Sequence, residues 1–251
     1  MSLKTSLVFI VLLLLLCGCA KDGSFDTGQA MMIGAGALQA SMLDEESVKQ
    51  ASALSAKELD SQSQVATSSS PYAMRLANLT RNLQNYDGLN LNFKVYLSKD
   101  INAFAMADGT VRVHSGLMDV MPDDQVLAVI GHEIGHVKLK HSYHQMKSAL
   151  LTNVAFDAAA SVGGTIGALT SSQLGVIART AVNARFSQED ELESDAYAVR
   201  ALKLMGKDPY AMKRSIETLQ AKSGGGGGGF LSSHPSNQNR IDTIQKEINL
   251  L

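Results

Sequence analysis

The chain has 251 residues, 45% of them hydrophobic, and its 22 basic and 24 acidic side chains give a net charge of −2. With its charges nearly balanced, the chain lacks the excess of positive charge typical of nucleic-acid-binding proteins, so nucleic acid is excluded as a partner. The cysteines are Cys17 and Cys19, so the rest of the chain has no thiol for a disulfide bond. The part of the chain that follows the cysteines, about 230 residues, suits one compact domain.

The N-terminus has the pattern of a bacterial lipoprotein signal peptide. The apolar run Leu7 to Leu16 follows a lysine and is too short to span a bilayer. The string Leu16-Cys17-Gly18-Cys19 resembles a lipobox, which predicts a signal peptide over residues 1–18 and acylation, including palmitate, at Cys19. Similarity to lipoprotein sorting in enteric bacteria, with Ala20 after that cysteine, favours the outer membrane. We therefore expect a lipid-anchored protein that faces the periplasm.

Residues 19–70 are rich in small and polar side chains, which predicts an anchored tether with loose helices. One helix is expected from Glu45 to Leu59, with Asp44 as its N-cap. A second helix is expected to open at Pro71 and to run to about Leu83, where its apolar side chains would pack on a core. The main domain is accordingly expected to cover residues 71–251.

The next segment has the alternation of short strands. Apolar and polar residues alternate from Phe93 to Leu97, and Asp108-Gly109 separates the runs Ala103–Met106 and Val111–His114. An aspartate and a glycine between two such runs predict a β-hairpin. An edge strand of such a hairpin can pair with another extended polypeptide, and this hairpin is our candidate for such a contact.

Residues 131–136 read Gly-His-Glu-Ile-Gly-His, an HExxH motif within an apolar segment of helical periodicity. Residues four apart on a helix are about 40° apart around its axis and about 6 Å along it, so His132 and His136 can bind one Zn²⁺ ion. Glu133 would then act as the general base towards a water molecule at the metal. The alternative is a chance pair of core histidines. His141, taken as part of the same helix, would lie on its opposite side.

A catalytic zinc site needs a third protein ligand, and the acidic cluster 189–195 offers one. Glu191 and Asp195 are four residues apart, so on a helix both face the same way. Glu191 could bind the metal while Asp195 holds the outer nitrogen of a ligand histidine. Without the HExxH motif, the alternative of a solvated acidic helix face would be favoured.

Two other segments have distinctive compositions. Ser148–Ser172 is apolar but interrupted by polar residues and glycines, which favours a hydrophobic flap over the cleft, or a buried helix pair, rather than a membrane span. The glycine run Gly224–Gly229 has no lysine or helix context of a phosphate-binding loop, so it predicts flexible chain.

Over about residues 72 to 245, the sequence resembles peptidase family 48 of the metallopeptidases, and within it the short lipoprotein members. The motifs that carry the resemblance are Gly131–Val137, Glu191–Asp195, Asn102–Ala105 with Gly109, Ser115–Leu117, Ser233–Pro235 and Arg240-Ile241. The resemblance implies an α+β, mainly helical fold of the zincin type, with a small sheet or hairpin and an HExxH helix. It also implies one zinc ion per chain, bound by His132, His136 and Glu191, with Glu133 as base and Asp195 behind a ligand.

The resemblance leaves two roles open for His234. Its imidazole would either occupy the water position as a fourth ligand and inhibitory latch, or cap the helix that contains Arg240. The residue that stabilises the oxyanion is also left open among Arg240, Tyr143 and Tyr197, which are all chemically able to contact substrate.

The function implied is a zinc endopeptidase that cleaves unfolded or misassembled envelope proteins in quality control. Its expected partners are polypeptide substrates, the membrane through the lipid anchor, and a partner protease or the outer-membrane assembly machinery. The alternative is a periplasmic chaperone or adaptor for outer-membrane proteins, built on a protease scaffold with little cleavage. Replacement of Glu133 would abolish the first activity and spare the second.

Overall fold

The computed structural model describes residues 43–154, 169–222, 229–236 and 238–251. Its helices are α1 Glu45–Gln62, α2 Pro71–Thr80, α3 Ser115–Val120, α4 Asp123–Lys138, α5 His141–Val154, α6 Ser171–Asn183, α7 Gln188–Leu204, α8 Tyr210–Lys222, α9 Phe230–Ser233 and α10 Gln238–Asn249. Its strands are β1 Asn92–Tyr96, β2 Ala103–Ala105 and β3 Thr110–His114, and a 3₁₀ turn covers Tyr86–Gly88. These elements confirm the predicted α+β, mainly helical fold class.

The sheet has the order β1-β3-β2, with β3 parallel to β1 and antiparallel to β2. The predicted hairpin is therefore confirmed, with Ala103 opposite Val113. Gly109 closes its turn at a φ of 90°, and a Cβ atom there would collide with the carbonyl of Asn90. A side chain at this position would be strained and would clash, so the turn needs glycine. Strand β2 forms one edge of the sheet and packs against α4.

Helix α4 lies at the centre of the fold, and its residues from Gln125 to Val137 are all buried. It is apolar on most sides because it packs against β2, α7 and α8. The helix ends at Lys138, and Lys140, at a φ of 65°, turns the chain directly into α5. The prediction that His141 lies on the far side of one continuous helix was therefore wrong, because the helix stops before that residue.

Helix α1 begins where the sequence predicts, and Asp44 accepts a 2.8 Å hydrogen bond from the backbone N–H of Ser47. The buried face of α1 packs on α5 and α6. Near its end, Asp60 accepts hydrogen bonds of 2.8 and 2.9 Å from the Arg112 guanidinium of β3. Part of the segment 19–70 is thereby fixed to the sheet.

Several predictions concern residues outside the described ranges. These are the signal peptide over 1–18, the acylation of Cys19, the middle of the proposed flap (155–168) and all but the last residue of the glycine run Gly224–Gly229. Across the ranges that are described, no helix combines the length and the hydropathy needed to cross a bilayer.

Candidate metal centre

Helix α4 presents both histidines of the HExxH motif to one point. The Nε2 atoms of His132 and His136 lie 3.0 Å apart, and both side chains are fully buried. Glu133, 1% exposed, lies beside them, and its Oε1 atom makes no hydrogen bond with the residues that the structure describes. A buried carboxylate oxygen left in this state suits a group whose partner arrives with substrate or water.

Helix α7 supplies the third side chain. The two carboxylate oxygens of Glu191 lie 3.6 Å from Nε2 of His132 and 3.4 Å from Nε2 of His136. Helices α4 and α7 come this close because Gly135 has no side chain. A Cβ atom at Gly135 would lie only 3.1 Å from the Cα atom of Ser194. The start of α7 is fixed by a capping box between Ser187 and the third residue of the helix.

His234, which follows α9, completes the cluster. Its Nδ1 atom lies 3.3 Å from Nε2 of His132 and 3.0 Å from Oε1 of Glu191. One atom from each of His132, His136, Glu191 and His234 can be chosen so that all four lie within 4.8 Å of one another, and all four residues are buried. Four ligand atoms placed about 2.0–2.1 Å from a tetrahedral ion are about 3.3 Å apart, so this set of three imidazoles and a carboxylate fits a metal such as zinc.

Behind the cluster lies a second set of buried charges. Asp195 Oδ1 is 2.8 Å from the outer nitrogen, Nδ1, of His132. Arg240 donates to both oxygens of Asp195, from Nε and Nη2, each at 2.7 Å. Its Nη1 atom also forms an ion pair with Glu191. Asp195 thus holds His132 on one side and is itself held by a guanidinium on the other.

The structure separates the three residues considered for the oxyanion. Arg240 is 0% exposed and lies behind the His/Glu cluster, a placement that favours positioning over contact with substrate. The hydroxyl of Tyr197 donates to Asp87 at 3.0 Å, on the surface. Tyr143 lies on α5, where Lys147 is 5.9 Å from its ring centroid.

Burial decides the direction of the pKa shift for two groups of the site, and neighbouring charges decide it for two others. Burial raises the pKa of Glu133, which makes its carboxylate a stronger base. Burial also lowers the pKa of His136, which favours the neutral imidazole that a metal requires. The pKa of Glu191 is lowered although burial opposes this, because the charge of His234 and hydrogen bonds favour its carboxylate. The pKa of His234 is raised against burial by the carboxylates of Glu133 and Glu191.

Sequence reasoning missed three side chains around the cluster. Phe186 stacks on His136 with ring centroids 3.7 Å apart, and Phe230 stacks on His234 at 4.2 Å. His141 contacts the outer nitrogen of His136. The phenylalanines flank the acidic cluster and the Ser-His-Pro string, but no spacing rule marks them, because the stacking depends on how distant segments pack.

A buried helix with two histidines and a glutamate, beside a small sheet and a second helix that brings a carboxylate, defines the class of the metallopeptidases. The chain belongs to peptidase family M48, whose family model matches residues 73–248. It is a metalloendopeptidase of this family.

Three relatives illustrate the similarity. The chain is 40% identical to the metalloprotease LoiP of Escherichia coli over 98% of its own length and 96% of that protein. It is also 40% identical to the metalloprotease YcaL of Escherichia coli, over 93% of the chain and 92% of the relative. The beta-barrel assembly-enhancing protease of Escherichia coli is 31% identical over 63% of the chain and 34% of that longer protein.

Proposed function

We propose that this protein is a zinc-dependent endopeptidase of the bacterial cell envelope. One observation carries the proposal: α4 and α7 bring His132, His136 and Glu191 together at one buried point beside Glu133. Two neutral imidazoles and a carboxylate are a donor set of catalytic zinc sites, which keep a further position for water or substrate.

Each residue then has a distinct task. A bound zinc ion supplies Lewis acidity to the scissile carbonyl and lowers the pKa of water. Glu133 takes the proton from the attacking water and returns it to the leaving amine, and the raised pKa of its buried carboxyl suits both steps. Asp195, held by Arg240, orients His132 through its outer nitrogen.

His234 is best explained as a latch. Its Nδ1 atom faces His132 and Glu191, and its Nε2 atom lies 3.5 Å from Oε1 of Glu133. The imidazole therefore covers both a ligand position and the base, so a substrate has to displace it. The backbone N–H of His234 bonds to the carbonyl of Phe230 at the end of α9, whereas the capping alternative concerned α10, the helix that contains Arg240.

The latch predicts that His234→Ala raises basal proteolysis of an unfolded protein, whereas His144→Ala, an exposed histidine of α5, leaves it unchanged. Initial rates of peptide release by both full-length variants give the comparison. An unchanged or lower rate in His234→Ala would count against the latch and in favour of a structural role.

Extended, unfolded envelope proteins are the proposed substrates. Edge strand β2 lies against α4, and the backbone of Ala105 is close enough to Glu133 to influence the pKa of its carboxyl, so a polypeptide that pairs with this edge would pass close to the base. The similarity to a beta-barrel assembly-enhancing protease supports a role beside outer-membrane assembly, with a partner protease or the assembly machinery nearby. Acylation at Cys19 would anchor the enzyme in the outer membrane, facing the periplasm, for quality control.

The test uses the full-length protein in detergent with an unfolded protein and a peptide library, and it quantifies bound zinc in the same samples. Cleavage that disappears with a chelator and in Glu133→Gln, while this variant keeps its zinc, would support the endopeptidase. Glu189→Gln, an exposed carboxylate on α7, serves as the control and should cleave normally. If Glu133→Gln keeps all biological activity, the chaperone or adaptor replaces the proposal.

A further inference from the structure

His141 returns to the metal-binding helix although it is not part of it. The left-handed conformation of Lys140 reverses the chain after α4, so that α5 begins with His141 folded back on the motif. Its Nδ1 atom lies 3.1 Å from Nδ1 of His136, and its side chain is only 6% exposed. The contact is therefore made with the nitrogen of His136 that points away from the donor cluster.

The protons of this contact can have only one arrangement when His136 serves as a ligand. A ligand nitrogen carries no proton, so His136, which turns Nε2 towards the cluster, holds its proton on Nδ1. Nδ1 of His136 then donates to Nδ1 of His141, and the proton of His141 must lie on Nε2. That atom is 3.2 Å from Oε2 of Glu193 and 3.6 Å from Oδ1 of Asp190, so it donates to a carboxylate.

The other ligand histidine is held differently. His132 is fixed by the carboxylate of Asp195, which a buried guanidinium holds in turn. His136 has an imidazole in the corresponding place, with Glu193 as the next partner, while Phe186 covers one face of its ring. A face contact leaves the ring free to turn in its own plane, whereas the hydrogen bond at Nδ1 restricts that rotation from the side opposite the donor cluster.

We propose that His141 is a positioning residue of the metal centre, which orients His136 through a hydrogen-bonded chain from His136 to His141 to Glu193. The inference rests on the proposed role of His136 as a ligand. Groups that hold the outer nitrogen of a ligand histidine raise metal affinity by about 10–100-fold. His141 should therefore slow the release of the metal, independently of any contact with substrate.

The first experiment measures how fast zinc leaves the full-length, zinc-loaded protein in excess chelator. We expect release about 10–100-fold faster in His141→Phe, which fills the space without an acceptor. His141→Asn should restore slow release to within a few-fold of the parent, because its amide oxygen can accept from His136. His144→Phe, on the exposed side of the same helix, is the matched control and should behave as the parent.

A second pair of variants avoids the buried position. Glu193 is 52% exposed, so Glu193→Ala should fold normally and speed release by a few-fold, since Asp190 remains as a weaker acceptor. Glu189→Ala removes an equal charge from the same helix and should change nothing. In the cobalt-substituted protein, His141→Phe should also alter the visible ligand-field spectrum, which purely structural packing would leave unchanged.

The outcomes separate the two proposals. Parental release rates and spectra in both His141→Phe and Glu193→Ala would overturn the positioning role, as would a loss of thermal stability in His141→Phe without faster release. A parent that binds no zinc would overturn it as well. A parent that binds zinc and cleaves nothing would refute the proposed protease function alone, because zinc release does not depend on cleavage.

Discussion

Gly135 and Gly131 lie one turn apart on α4, and both face α7, but only one of them should tolerate a methyl group. A Cβ atom at Gly135 would lie 3.1 and 3.2 Å from Cα and O of Ser194 and 3.2 Å from Cδ1 of Tyr197. A Cβ atom at Gly131 would meet the Cβ atom of Ala198 at 3.5 Å, an ordinary van der Waals distance. Gly135→Ala must therefore push α4 and α7 apart.

The magnitude follows from two opposing effects. Alanine favours a helix over glycine by about 1 kcal/mol at either position. Overpacking costs about 1–3 kcal/mol, and only Gly135→Ala incurs it, because the obstructing atoms are backbone. The free energy of unfolding of Gly131→Ala should thus exceed that of the parent by up to about 1 kcal/mol. It should exceed that of Gly135→Ala by about 1–3 kcal/mol. In a protein of this size that corresponds to roughly 2–12 °C in Tm.

Thermal unfolding of the chelator-stripped proteins, followed by circular dichroism, measures this difference without a contribution from metal binding. Metal titration then provides a second readout, since Ser194 adjoins Asp195 and lies one turn from Glu191. Gly135→Ala should bind zinc more weakly, and Gly131→Ala should bind it as the parent does. Equal Tm values and equal zinc affinities in the two variants would refute the argument that Gly135 sets the helix separation.

Three further predictions concern the buried charges and the metal. Hydrogen bonds from Arg112 and its neighbours outweigh burial and lower the pKa of Asp60 from 3.8 to about 2. The free energy of unfolding of Asp60→Asn, measured with urea, should therefore be about 1–2 kcal/mol below that of the parent near neutral pH. This difference should shrink as the pH falls from about 4 to about 2, where the carboxylate of the parent becomes protonated. Arg240→Leu leaves the carboxylate of Asp195 buried without its guanidinium partner, so the free energy of unfolding in the same assay should fall by about 3–5 kcal/mol. A fall of less than about 1 kcal/mol would contradict a stabilising ion pair. A chelator should lower the Tm of the zinc-loaded parent, because zinc at a thousandfold excess over its Kd adds about 4 kcal/mol to the free energy of unfolding. The Tm of His132→Ala should not change on addition of the chelator.

The sequence by itself determined the features that depend on local geometry. The helical period predicted that His132 and His136 face one way, and their Nε2 atoms lie 3.0 Å apart. An aspartate and a glycine between alternating runs predicted the hairpin, and Asp44 predicted the start of α1. Each of these inferences depends on backbone hydrogen bonding within a few residues, which the side chains present there decide.

Only the tertiary structure decided which distant segments meet. His132 contacts Asp195 across 63 residues and His234 across 102, and no local pattern fixes such distances. The placement of Arg240 behind the His/Glu cluster, and the return of His141 to His136, depend on how whole helix faces pack. A single left-handed residue after α4 redirected α5, and sequence periodicity cannot anticipate such a turn, because the period continues in the sequence after the helix has ended.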